Sequence, residues 1–202
     1  MTGRSEMNRF QEQFLKQLWK KTEEMYEEEI GKLNQNQEEM ENHIASELNR
    51  QLKLLTELYH NSWKKEPRYL VISFLRTSCL DGFPWYQIRL LDEDYFYSDQ
   101  EWAVWLDVPI VSSGFYNIMD FVREELRNEI RMEGYFIDSF FSEYREKFHQ
   151  WMSKHIHEIM RKHVLWGKWE GFYAKHNMRI LFGDYQNTFD CVMNWSAEED
   201  NQ

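Results

Sequence analysis

Hydrophobic and polar positions along this chain follow two rhythms, and the change of rhythm marks its parts. Over residues 5–62 apolar side chains recur at steps of three and four. Met7, Phe10, Phe14, Leu18 and Met25 form one stripe, with Leu15, Trp19, Tyr26, Ile30 and Leu33 beside it. That spacing predicts an amphipathic helix. The stripe fades through Gly31–Gln37 and resumes with Met40, Ile44, Leu48, Leu52, Leu55 and Tyr59. Two readings fit: an antiparallel helical hairpin turning near 31–37, or one continuous helix whose stripe needs a partner chain. The hairpin is the preferred reading.

Pro67 ends the helical rhythm and the pattern shortens to a period of two. Arg68–Thr77 is apolar on both faces, which predicts a central strand covered on both sides. Ser78–Pro84 contains Asp-Gly and Pro and predicts a turn. Trp85–Leu91 alternates, with Tyr86, Ile88 and Leu90 inward and Gln87 and Arg89 outward. A third strand is expected over Trp102–Ile110, ended or placed at an edge by Pro109. Three strands thus occupy 68–111.

Helical spacing returns over 114–176, with Ser113 as the expected cap. Phe115, Ile118, Met119, Val122, Leu126 and Ile130 make one stripe. Phe136, Phe140, Tyr144, Phe148, Met152, Ile156 and Met160 make a second, longer one. Gly134 is the expected break between them. Two short strands are expected within 178–195, and the tail 196–202 should fray. The fold class is therefore α+β: one domain, a mainly antiparallel sheet of about five strands, an N-terminal helical hairpin, and long helices packed on the sheet.

Composition sharpens this picture. Nine Trp and ten Met among 202 residues, with only eight Gly, promise a large aromatic core and few long loops. The net charge is −11, distributed as −3 over residues 1–66, −4 over 67–115, 0 over 116–177 and −4 over 178–202. An acidic sheet argues against broad phosphate-backbone binding. Two distant cysteines, Cys79 and Cys191, do not make a disulfide scaffold. The opening residues lack the apolar core of a signal peptide, and no apolar run reaches membrane-spanning length. The expectation is a cytoplasmic protein without a membrane partner.

Candidate chemistry is sparse. Arg76, Ser78, Cys79, Asp81 and Trp85 cluster at the end of the first strand and form the candidate binding group. A thiol there needs a cation or a histidine to become reactive. His149, His155, His157 and His163 share a helix, but no two sit three or four apart, so a metal site is not expected and no cofactor is implied. They read as surface histidines able to respond to pH. Residues 154–176 mix Lys and Arg with Trp166, Trp169 and Tyr173, as single-strand nucleic-acid surfaces do, yet no recognised module accompanies them. Matching to this chain's own acidic surfaces is the preferred reading. No catalytic motif is present.

Tyr69–Thr77 (YLVISFLRT), Trp85–Leu91, the acidic-aromatic DEDYFYSDQEW of 92–102 and ILFGDY of 180–185 resemble a family of uncharacterised cytoplasmic proteins from clostridia and related gut bacteria. The resemblance covers about residues 65–190. It implies a bacterial, intracellular origin and carries no functional residues. The expected function is a non-enzymatic interaction or regulatory protein that self-associates or binds another protein. The alternatives are a small enzyme or ligand-binding protein using Arg76–Asp81, and nucleic-acid binding through 154–176.

Overall fold

The computed structural model describes residues 2–62, 66–77, 85–94, 102–128, 135–164, 177–184 and 189–194. Among these residues the fold is α+β, with four helices and a five-stranded mixed sheet. The chain divides into two compact units: Met1–Gln37 with Ile110–Phe148, and Glu38–Pro109 with His149–Gln202.

The first unit is helical. It holds α1 (Thr2–Gln35), nearly all of α3 (Pro109–Asn128) and the first half of α4 (Tyr135–His163). Aromatic rings join them. Trp19 stacks on Phe140 with centroids 3.8 Å apart, and Tyr26 meets Phe148 edge-on at 5.3 Å. Phe115 meets Phe141 edge-on at 5.2 Å. The Tyr144 hydroxyl donates to Thr22 Oγ1 at 2.8 Å, and that hydroxyl can in turn donate to Leu18 O at 3.0 Å. The pairs 19–140, 22–144 and 26–148 rise together, so α1 and this half of α4 run in the same direction.

Helix α3 begins five residues before the expected position, at Pro109 rather than 114. Proline at the first helical position loses no hydrogen bond and presets φ, so it opens the helix instead of closing the strand. Ser113 accordingly lies inside the helix and is no cap. Gly114 permits close packing: a Cβ there would lie 3.1 Å from both Glu29 Cβ and Phe148 Cζ. Glu23 of α1 pairs with Lys147 of α4, and Glu29 pairs with Lys32 within α1.

A single residue, Asn36, separates α1 from α2 (Gln37–Ser62), and its N–H donates to Lys32 O at 3.2 Å. The break falls within the expected 31–37.

The second unit is built on the sheet, in the order β3-β2-β1-β4-β5. Its strands are β1 (Tyr69–Phe74), β2 (Tyr86–Leu91), β3 (Trp102–Leu106), β4 (Arg179–Asp184) and β5 (Phe189–Asn194). Three pairings are antiparallel, and β1 with β4 is parallel. The central position expected for β1 is observed: Leu70, Val71, Ile72, Ser73 and Phe74 are all fully buried, so both of its faces are covered. Asn177 leads into β4 with φ 47°, a left-handed conformation that asparagine tolerates. One face of the sheet carries Leu70, Ile72 and Phe74 with Leu90, Ile88 and Tyr86 in register beside them.

Arg89 corrects the outward assignment. It does lie on the face opposite Ile88, but it is only 1% exposed, and its guanidinium donates to Ser73 Oγ at 3.3 Å. Alternation separates the two faces of a strand; it does not say whether the second face meets water. The histidines need a similar correction. His149 is buried, and His163 is half-buried with Nε2 3.0 Å from the buried Glu41 carboxylate. His155 Nδ1–H donates to Trp151 O at 2.8 Å, and of the four only His157 is openly exposed.

Candidate functional site

The parallel pairing of β1 and β4 brings their C-terminal ends together. Phe74 lies between Tyr86 on one side and Asp184 on the other. His149, reaching in from α4, lies flat on Phe74, with centroids 4.1 Å apart and planes 5° apart; Phe182 is 5.5 Å away. Its Nδ1 is 3.2 Å from the Tyr86 hydroxyl, and its Nε2 is 3.9 Å from Asp184 Oδ1, beyond direct hydrogen-bond range. A neutral ring with its proton on Nε2 suits both neighbours: Nδ1 then accepts from Tyr86, and the N–H faces the carboxylate. Arg76, just past the end of β1, grips Asp184 with two nitrogens, Nη2 at 2.5 Å and Nε at 3.5 Å.

The result is a polar chain, Arg76–Asp184–His149–Tyr86, running from the surface into the core. Half of the Arg76 side chain is exposed, while 13% of Asp184, 9% of His149 and none of Tyr86 is. Trp85, also expected in the binding group, is 1% exposed and set edge-on to Phe74 at 6.0 Å. Ser78, Cys79 and Asp81 lie outside the described residues, as do the turn 78–84 and Trp166, Trp169 and Tyr173 of 154–176. The described basic residues there include Lys162, which pairs with Glu158.

Sequence reasoning missed Asp184, His149 and Tyr86 as partners. The signal for His149 was present: it follows Phe148 in the long apolar stripe and precedes Trp151, so it sits at the margin of a buried face. Nothing local announces that β4 pairs in parallel with β1, and that pairing is what sets Asp184 beside Arg76.

Two other features stand apart from this chain. On the opposite sheet face, Tyr69, Arg179, Leu181, Cys191 and Asn194 line a cavity of about 520 Å³. At one sheet edge, β3 reads Trp-Ala-Val-Trp-Leu, with Trp105 49% exposed. Among the described residues no group of three or more His, Cys, Asp or Glu is placed to hold a metal ion, and no helix is long and apolar enough to cross a membrane. Comparison with protein-family models, with curated proteins and with solved structures returned no match.

Proposed function

We propose that this chain is a non-enzymatic interaction protein that acts by self-association, with the outer edge of β3 as the contact. The observation that carries this reading is the chemistry of that edge. Among the described residues β3 pairs on one side only, with β2. Its five residues include no charge and no proline, the usual devices that keep an edge strand from pairing. Trp105 stands out from it, and an exposed Trp is an anchor type at interfaces. Two such edges meeting about a two-fold axis would extend the sheet through both copies and satisfy the free backbone groups. A bacterial, cytoplasmic setting belongs to the same reading.

Hydrogen exchange at two protein concentrations tests the location. Amides of 102–106 should be better protected at the higher concentration, and exchange there that ignores concentration would sink the assignment.

The polar chain supports a second reading, a small enzyme whose histidine comes from the long helix. Its support is that His149 comes within 3.9 Å of the carboxylate held by Arg76, the residue that opens the expected Arg76–Asp81 cluster. In a Cys191→Ser protein, Cys79 is the sole thiol. Alkylation of Cys79 with a midpoint well below the ordinary thiol value of about 8.5 would favour this reading, and an ordinary midpoint would remove it.

A further inference from the structure

We infer that the cavity over β1, β4 and β5 is a binding site for a small organic carboxylate with a flat apolar body, its carboxylate on Arg179. Strand register assembles the site. Tyr69, Arg179 and Asn194 lie in one row across the three strands, and Leu181 with Cys191 forms the next row on the same face. The pairing of β4 with β5 slips between Ile180 and Leu181, leaving Val192 as an extra residue. Such a bulge bends its strand and re-aims the side chains around it.

The lining has a definite polarity. Leu181 and the Tyr69 ring give an apolar floor and wall, and buried Val71 continues the floor beside Leu181. Arg179 is exposed, and among the described residues no carboxylate lies within ion-pair distance of it. The other charged residues of these two strands, Asp184 and Asp190, occupy register positions of the opposite face. A guanidinium beside an apolar wall, without a carboxylate partner among the described residues, favours a carboxylate ligand, which it can hold with two parallel N–H bonds. The Asn194 amide is a second polar contact, although its Oδ1 already lies 3.4 Å from the Cys191 thiol. The volume of about 520 Å³ suits a ligand of one or two rings. The site lies at the end of the sheet opposite β3, so it neither needs nor excludes pairing there.

Cys191 is exposed within the lining and reports occupancy. The experiment follows alkylation of full-length protein by iodoacetamide, a neutral reagent, with the Cys191 peptide quantified by mass spectrometry. The probes are benzoate and indole-3-acetate, each against its amide, with chloride matching ionic strength. Both carboxylates should slow Cys191 alkylation saturably, and the amides should need about tenfold more, as expected for one lost charge-assisted pair. Arg179→Gln should abolish the preference for carboxylate over amide, and Arg179→Lys should restore part of it. Equal protection by acid and amide, an unchanged preference in Arg179→Gln, or no protection by either probe would overturn the proposal. Arg179 is exposed, so its variants should fold; if one does not, the acid–amide comparison in the unaltered protein still decides.

Discussion

Phe148 and His149 are neighbours on one helix, and each belongs to a different kind of core. Phe148 lies in the helical unit, where the rings of Tyr26 and Phe115 surround it edge-on. The buried polar groups of that unit include the hydroxyls of Ser112, Thr22 and Tyr144, the last two hydrogen-bonded to each other. His149 lies in the sheet unit, stacked on Phe74 and linked to Tyr86 and Asp184. Buried polar groups there include Arg89, Glu41 and Asp92, which can carry charge. Apolar packing tolerates little change of volume, whereas a buried ionisable network tolerates little change of charge. The two units should therefore break in different ways.

The largest effect is expected from volume in the helical unit. Phe148→Ala should cost about 3–5 kcal/mol in chemical unfolding, and Gly114→Val about 1–3 kcal/mol by crowding Glu29 and Phe148. A loss below about 1 kcal/mol for Phe148→Ala would mean that its ring contacts do not hold this unit together.

Charge in the sheet unit comes next. Asp184→Ala removes a carboxylate that both Arg76 and His149 approach, and should cost about 1–3 kcal/mol. Arg76→Ala should cost less, about 1 kcal/mol, because half of that side chain is in water. The reverse order would show that the chain is organised from its exposed end.

Those two residues also show where the sequence could be read. Helical periodicity located the stripe Phe140, Tyr144, Phe148, Met152, because a helix face is set by near neighbours in the chain. The apolar faces of β1 announced its central place for the same local reason. Asp184 was not legible, since its meeting with Arg76 depends on two strands separated by 108 positions adopting a parallel register. His149 was misassigned because spacing rules out a metal pair but does not measure burial. The start of α3 was misread because proline closes strands and opens helices alike.

Smaller, pH-dependent effects separate the units again. Burial raises the Tyr144 hydroxyl well above its ordinary value of 10.0. A raised value stabilises the fold fully below the ordinary one. That stability is lost as pH rises, because the unfolded chain ionises first. Tyr144→Phe should cost about 1 kcal/mol near neutrality and flatten the alkaline fall in stability, read by denaturant titration across pH. In the sheet unit, the hydrogen bond from Arg50 holds the Glu47 carboxyl below its ordinary range against the pull of its partial burial. That contribution is present above the ordinary glutamate range and fades as pH falls through it. Glu47→Gln should lower stability at neutral pH by about 0.5 kcal/mol and leave it nearly unchanged once the acid has protonated Glu47. An equal loss at both pH values would assign the effect to packing.

The functional reading rests on the uncharged edge of β3 and not on the buried histidine. Light scattering on the full-length protein, with and without Trp105→Lys, tests this most directly. The unaltered chain should run as a dimer near twice its 25.0 kDa mass, and the lysine placed on the edge strand should return it to monomer with its fold intact. A monomer at every concentration, or a dimer indifferent to Trp105→Lys, would contradict the account.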